Sequence, residues 1–350
     1  MTFSPDSFDN LHEQLNQIEE WTPVHPAHDD GRPMPPEKVA VIGCGNWGKN
    51  LARNFYNLGF LHAICDMSRE RLEAIKSQYK NIYLLSDYQK ILDNPEITAV
   101  VISTPSHTHY PLAKQALDAG KHVYVEKPIA TNTQHTLELF TLAQEKGLTL
   151  MVGHLLLYHP AVNRLKQLIA EGVLGQLKNV QSDRLNTNEL RPDKSVLWDL
   201  APHDISMMSY IIGDEPDEIV SAVGYRNRDD GLVDDAHIDL VYPHEIGGHI
   251  HISWVHPIKQ VKLVVRGTEG TALIDDTQGT NKLHVFSKSD ELQRVEEFPE
   301  YLSIEPLKLE CQHFINCIRY GKPPKTDGMN GYKVVKVLEE AEAKMELISV

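Results

Sequence analysis

The stretch Lys38-Val-Ala-Val-Ile-Gly43-Cys-Gly45-Asn46-Trp47-Gly48-Lys-Asn-Leu-Ala52 decides the fold. Val39 to Ile42 is a short, unbroken apolar run, the pattern of a strand buried on both faces. Three glycines follow at G-x-G-x-x-G spacing. Ala52, Phe55 and Leu58 then recur at helical spacing until Gly59 ends the pattern. The first glycine permits a tight turn, the second lets a pyrophosphate approach the backbone, and the third lets helix and strand pack closely. The helix N-terminus offers N–H groups and positive potential to phosphates. Asn46 and Trp47 complete the turn. Strand, turn and helix in this order predict the first half of a dinucleotide-binding βαβ unit.

Outward from that stretch the alternation continues. Strands are predicted over 61–65, 82–85, 99–103, 122–125 and 149–152, with helices over 69–78, 88–93, 110–119 and 133–146. Six strands alternating with helices predict an α/β protein whose N-terminal part is a doubly wound parallel Rossmann sheet. After a helix over 161–171 the period changes. Ile250, Ile252 and Trp254 alternate with His249, His251 and Ser253, the two-residue period of a half-buried antiparallel strand. Further strands over 176–185, 218–225, 236–242, 260–266 and 270–275 predict a C-terminal α+β domain with an open antiparallel sheet. Helices over 307–320 and 331–347 close it. The predicted organisation is a terminal extension over 1–36, a dinucleotide-binding domain over 37–155, and a substrate-binding and oligomerisation domain over 156–350.

Composition bounds the function classes. The chain has 350 residues, 41% hydrophobic and 24% charged, so it can build real cores. Its net charge of -15 gives no general attraction to nucleic acid or anionic lipid. Residues 1–36 are an acidic outlier, with seven acidic side chains and Arg32 as the single Lys or Arg. Within them Phe8, Leu11, Leu15 and Ile18 sit at helical spacing, ahead of a Pro-rich linker. A short helix on a tether is expected there, docking on its own or a neighbouring subunit. Cys44, Cys65, Cys311 and Cys317 have no C-x-x-C spacing, which argues against a zinc knuckle or a disulfide framework. No apolar run is long enough to span a membrane, and the first ten residues lack the pattern of a signal peptide. A cytoplasmic location is expected.

Four groups of residues point to chemistry. Asp66 ends the second predicted strand, where an acid accepts hydrogen bonds from an adenosine ribose and repels a 2′-phosphate. This favours NAD over NADP, although Arg69 lies nearby. Thr104-Pro105-Ser-His107-Thr-His109 follows the fourth strand, at the end of the sheet where ligands sit. Glu126-Lys127-Pro128 follows the fifth. A lysine aimed into a cleft by a cis proline could exchange protons there; the competing reading is a surface lysine paired with Glu126. Asp199 and His203, four apart, would share a helix face. The acid would hold the imidazole as a base, or the two would merely cap a helix. Pro202 is read as lying in the first turn. The histidines at 244, 249, 251 and 256 cluster around one strand. With no third ligand visible, packing on a sheet face or subunit interface is expected and no metal site is assigned.

Taken in order, the motifs are G-x-G-x-x-G, Asp66, Thr104-Pro105, Glu126-Lys127-Pro128, Gly153-His154 with Tyr158 and Pro160, and Asp199-x-x-x-His203-Asp204. His313-Phe314 and Gly321-Lys322-x-Pro324 close the series. Over residues 37 to about 347 this chain resembles the glucose–fructose oxidoreductase/inositol dehydrogenase (Gfo/Idh/MocA) family. The resemblance implies an NAD(P)-binding Rossmann domain, hydride transfer at a sugar or cyclitol hydroxyl, and homodimers or homotetramers built on the sheets. It also implies catalytic roles for Lys127, Asp199 and His203. The finer pattern is most similar to the branch acting on nucleotide-linked sugars, such as UDP-N-acetylglucosamine 3-dehydrogenases. His154, Tyr158, Arg184, Asn186, Arg191 and His203 are the expected substrate contacts. The expected cofactor contacts are Gly43, Gly45, Asn46, Trp47, Gly48, Asp66, Thr104, Pro105, His107, Glu126 and Lys127. Two alternatives stay open: a dehydrogenase for a free sugar or inositol, and a non-catalytic NAD-binding regulatory paralogue.

Overall fold

The computed structural model describes residues 37–187, 195–227, 231–288 and 294–349. The predicted terminal helix and linker, and Arg191, lie outside the described residues. In chain order the first elements are β1 (Val39–Ile42), α1 (Gly48–Asn57), β2 (Leu61–Cys65), α2 (Arg69–Ile75), β3 (Tyr83–Leu85) and α3 (Gln89–Leu92). They continue with β4 (Ala99–Ile102), α4 (His109–Asp118), β5 (His122–Glu126), α5 (Thr133–Lys146) and β6 (Leu150–Gly153). Then come α6 (Pro160–Ala170), β7 (Leu177–Thr187), α7 (Val196–Ile212), β8 (Glu218–Arg226), β9 (Asp235–Tyr242), β10 (Ile246–Ser253) and β11 (Val255–Gly267). The last are β12 (Gly270–Asp275), β13 (Leu283–Lys288), β14 (Arg294–Glu297), α8 (Pro306–Tyr320), α9 (Gly328–Lys344) and β15 (Glu346–Ser349).

The chain divides into two compact units. One comprises residues up to Glu126, Glu138–Gly153 and Leu307–Asp327; the other comprises Lys127–Leu137, His154–Pro306 and Gly328–Val350. The division is therefore not a single cut near residue 155. Most of α8 belongs with the nucleotide-binding unit, because Phe314 inserts edge-on against Phe55 at 6.4 Å and Tyr124 at 5.8 Å. All three rings are fully buried. Burying an aromatic ring of this kind contributes about 2–3 kcal/mol.

The first unit holds a six-stranded sheet in the order β3-β2-β1-β4-β5-β6, parallel throughout. Strands β1 and β4 at its centre are buried on both faces, as their unbroken apolar sequences require. The order reverses between them, so the loops after β1 and β4 open side by side at the switch point.

The second unit holds a nine-stranded sheet in the order β14-β13-β12-β11-β7-β10-β9-β8-β15. It is mixed rather than purely antiparallel: β7 runs parallel to β10, and β15 parallel to β8. Three of its strands, β13 to β15, carry no clear alternation and went unpredicted. The helix expected over 331–347 stops at Lys344, and Glu346–Ser349 pairs with β8 instead. One sheet face packs a core that includes Ala161 and Leu165 of α6, Ile205 and Met208 of α7, and Val334 and Leu338 of α9. On β9 and β10, Ala236, Ile238, Leu240, Ile250 and Ile252 face this core, while the intervening residues face away.

Candidate active site

The glycine turn is shaped by what it excludes. A Cβ at Gly43 would stand 2.5 Å from the Ser103 carbonyl oxygen, and its φ of +87° disfavours any side chain. A Cβ at Gly48 would stand 1.9 Å from the Gly43 carbonyl oxygen. At Gly45 an added Cβ would meet nothing within 4 Å, so the space above that residue is open. Two glycines thus close the turn, and the third leaves room over it at the N-terminus of α1. This arrangement fits a pyrophosphate.

Asp66 ends β2 beside this turn. Its carboxylate accepts from the backbone N–H of Cys44 and of Ser68, each at 2.8 Å. Burial alone would raise its pKa; these hydrogen bonds, the Cys44 thiol and Arg71 reverse the balance and hold it below the usual carboxylate value. Burial raises the Cys44 thiol to about 12, with the Asp66 hydrogen bond second, so it is inert near neutral pH. The cation beside the acid is Arg71, whose Nη1 lies 3.7 Å from Asp66 Oδ2. The cation expected there from the sequence, Arg69, lies two residues earlier on the same helix.

The remaining cofactor candidates fall on this unit's loops. Trp47 donates from Nε1 to Glu126 Oε1 at 2.6 Å, and the Tyr124 hydroxyl donates to the same oxygen at 3.2 Å. Glu126 therefore anchors the exposed indole of the glycine turn. Thr104 and Thr108 share a 2.6 Å hydroxyl contact, and His109 is buried with Nε2 at 2.8 Å from the Thr104 carbonyl oxygen. Pro105, Asn46 and His107 are exposed.

The second unit gathers the proton-handling candidates. The Lys127–Pro128 peptide is cis. Lys127 Nζ donates to the Asp199 carbonyl oxygen at 2.6 Å and stands 3.7 Å from Asp199 Oδ1. Asp199 and His203 do lie one turn apart on α7, but His203 Nδ1 is buried without a hydrogen-bond partner among the described residues. Asp199 thus serves the lysine, and the expected Asp199-to-imidazole clamp is not formed. Pro202 lies inside α7 rather than in its first turn. A proline there removes one helical N–H, the one that would otherwise bond the Trp198 carbonyl.

Burial, with the Lys127 and Arg184 cations and His154 adding to it, holds His203 well below its ordinary pKa. His154 is 1% exposed and is lowered to about 4, chiefly by burial. Its Nδ1 lies 2.6 Å from Asn330 Oδ1. With that amide oxygen accepting, Nδ1 carries the proton and Nε2 keeps its lone pair. Asn330 lies 176 residues from His154, and no local signal announces it.

Arg184 is not available as expected. It grips Asp204 through Nε at 2.9 Å and Nη2 at 3.0 Å, and Asp204 has no exposed surface. Ser182 adds a 2.7 Å hydrogen bond to the same carboxylate. Asp204 thereby ties α7 to β7 beside His203, a role its place in the motif did not reveal. Tyr158 is fully buried, and Asn186 is half-buried on β7. No helix among the described residues is long and apolar enough to cross a membrane.

Comparison with known proteins agrees with this layout. Residues 37–154 match the model of the oxidoreductase family with an NAD-binding Rossmann fold, and residues 162–273 match the GFO/IDH/MocA C-terminal domain. The chain is 26% identical to a UDP-N-acetylglucosamine 3-dehydrogenase of Acidithiobacillus ferrooxidans over 88% of this chain and 97% of the relative. The solved structure of that enzyme superposes with a TM-score of 0.79, covering 89% of this chain and 98% of the other at 25% identity. A scyllo-inositol 2-dehydrogenase (NAD(+)) of Bacillus subtilis is 25% identical over 82% of this chain and 87% of its own. A 3-ketoreductase of Actinomadura kijaniata shares the fold at a TM-score of 0.81 and 20% identity, covering 90% of this chain and all of the other. With both domains matched in order and the glycine turn built as a phosphate cradle, the chain belongs to the Gfo/Idh/MocA oxidoreductase family.

Proposed function

We propose that this protein is an NAD-dependent dehydrogenase acting on a ring hydroxyl of a nucleotide-linked sugar, working in the cytoplasm as a homodimer or homotetramer. The observation that carries the reading is the Lys127–Asp199 pair grouped in one unit with the neutral imidazoles of His203 and His154. The near full-length likeness to a UDP-N-acetylglucosamine 3-dehydrogenase supports the substrate class.

The dinucleotide would rest on the Gly43–Gly48 turn with its ribose at Asp66. A bound nicotinamide supplies the hydride acceptor or donor. The chain's own residues handle the proton. His203 is neutral at working pH and so can take the hydroxyl proton. Lys127, held by Asp199, hydrogen-bonds the same oxygen and stabilises the negative charge that develops on it. His154, steered by Asn330, presents a second lone pair for a neighbouring hydroxyl. The ionised Asp66 supports NAD over NADP, and Arg71, beside it, is a cation that would favour a 2′-phosphate.

One observation favours a second reading. Arg184, counted on for a diphosphate, is committed to Asp204. A free sugar or inositol would not need it. Measuring NADH formation with a panel of UDP-sugars, free sugars and inositols separates the readings. Turnover on the nucleotide sugars alone supports the proposal, and turnover on inositols or free sugars alone replaces it. Tight NAD binding with no turnover on any of them points to a regulatory paralogue.

A further inference from the structure

Strands β9 and β10 place His237 directly opposite His251, and Asp235 opposite Ser253, in antiparallel register. Residues 235, 237 and 251 alternate with core-facing neighbours, so all three lie on the sheet face away from the helices. The two imidazoles stack with centroids 3.9 Å apart and planes inclined by 18°. His251 Nε2 lies 3.3 Å and His237 Nε2 3.7 Å from the same oxygen, Asp235 Oδ1. Three ligand atoms, one from each residue, sit within 4.8 Å of one another. The His251 nitrogen is buried, and among the described residues its nearest polar partner is the Asp235 carboxylate, a poorly aligned contact. Two imidazoles and a carboxylate thus gather on one face of the sheet.

The geometry points to a binding site for a divalent transition metal of the zinc class, formed by Asp235, His237 and His251. None of these residues belongs to the oxidoreductase machinery described above. In a tetrahedral zinc site with bonds near 2 Å, neighbouring ligand atoms are about 3.3 Å apart, close to the observed spacings, and ligation requires the two stacked rings to rotate so that both lone pairs meet at one centre. Two imidazoles with one carboxylate suit zinc, cobalt or nickel, whereas magnesium and calcium prefer oxygen alone. Three protein ligands leave a fourth position for water or another donor. Around the site, His249 Nδ1 lies 2.7 Å from Asp239 Oδ1, and its ring is 5.6 Å from His237. Sequence alone shows His249 and His251 on one face. The decisive partners, Asp235 and His237, come from the adjacent strand.

The test is titration of the full chain, expressed without a histidine tag and stripped by chelator, with Zn²⁺ alone and then with Co²⁺. Calorimetry should give one Zn²⁺ per chain, and bound Co²⁺ should develop visible d–d absorption. His237→Ala and His251→Ala should each weaken Zn²⁺ binding by about tenfold or more, with Asp235→Asn as a third variant that preserves shape. His249→Ala should weaken it less. Circular dichroism distinguishes a lost site from a lost fold. Absence of saturable binding to folded wild-type protein overturns the proposal. So does binding that survives in folded His237→Ala and His251→Ala.

Discussion

Lys127 Nζ is bound to the backbone carbonyl of Asp199 at 2.6 Å and faced by its carboxylate at 3.7 Å. One residue of α7 thus fixes the lysine twice, once through the chain and once through the side chain. The carboxylate has a lysine to hold, and the imidazole one turn later does without it.

This arrangement makes Asp199 a positioning residue for Lys127. Lys127→Ala should lower kcat/KM by about 10²–10⁴-fold, the usual worth of a positioned acid or base. Asp199→Asn keeps the backbone contact and should cost less, about 10–100-fold. The double variant should be close to Lys127→Ala alone, since both changes remove one interaction. Steady-state kinetics on the substrate found by the panel provide the check. Multiplying losses would mean that Asp199 acts on His203 after all.

The lowered imidazoles make an acid-side stability prediction. His154 has a folded pKa near 4 against an ordinary 6.5, so the unfolded chain binds the proton first. Stability should therefore be full above pH 6.5 and fall as pH drops from 6.5 toward 4. His154 contributes roughly 3 kcal/mol to that loss once both states are protonated. His313, also lowered to about 4 chiefly by burial, acts in the same window. Urea unfolding of wild type between pH 7 and 4 should show the slope, and His154→Asn should make it shallower. An unchanged slope in that variant would show that His154 is protonated in the fold.

What was legible in the sequence was local. The glycine turn, Asp66 and the Glu126-Lys127-Pro128 loop lie where short apolar runs and fixed spacings put them. The alternation of Ile250 and Ile252 with His249 and His251 gave the sheet's two faces directly. Partnerships across the chain were not legible. Asn330 reaches His154 from 176 residues away, and Glu310 joins the nucleotide-binding unit from the far end of the sequence. Arg184 looked free because nothing local announces Asp204, twenty residues on, as its partner. The parallel pairing of β7 with β10 is likewise a matter of topology, which periodicity does not encode.

Asp204 should matter chiefly for stability. It has no exposed surface and takes three hydrogen bonds from Arg184 and one from Ser182. Asp204→Ala leaves a guanidinium largely buried and unpaired, at a cost of about 3–5 kcal/mol. Replacing both partners, as in Asp204→Leu with Arg184→Met, should recover part of that loss. Denaturant midpoints of the three proteins provide the measurement, and no recovery in the double variant would point to a packing role for the carboxylate itself.

The acidic terminal segment should be dispensable for the cofactor. The family match begins at residue 37, and the phosphate turn, Asp66 and Glu126 all lie beyond it. Deleting residues 1–36 should change NAD(H) affinity by no more than about twofold, read by NADH fluorescence. A large loss would place the segment at the site.

Glu310 offers a prediction with the opposite sign from the histidines. Its side chain is fully buried on α8, and among the described residues neither oxygen has a well-aligned hydrogen bond. Burial first, and the Glu126 charge second, push its pKa well above the usual carboxyl value, against a smaller opposing effect of the Tyr124 hydroxyl. A raised acid pKa means that the fold binds the proton more tightly than the unfolded chain does. Its contribution is therefore full below pH 4.5 and is lost as pH rises. Glu310→Gln keeps the shape and cannot ionise. The variant should match wild type near pH 5 and exceed it increasingly toward pH 8, by about 2 °C or more in Tm. Glu310→Ala, which also opens a cavity, should be less stable than Glu310→Gln at every pH. A Tm difference between Glu310→Gln and wild type that stays constant from pH 5 to 8 would mean the carboxyl does not titrate in this way. A variant uniformly less stable than wild type would mean that the ionised form is what the fold uses.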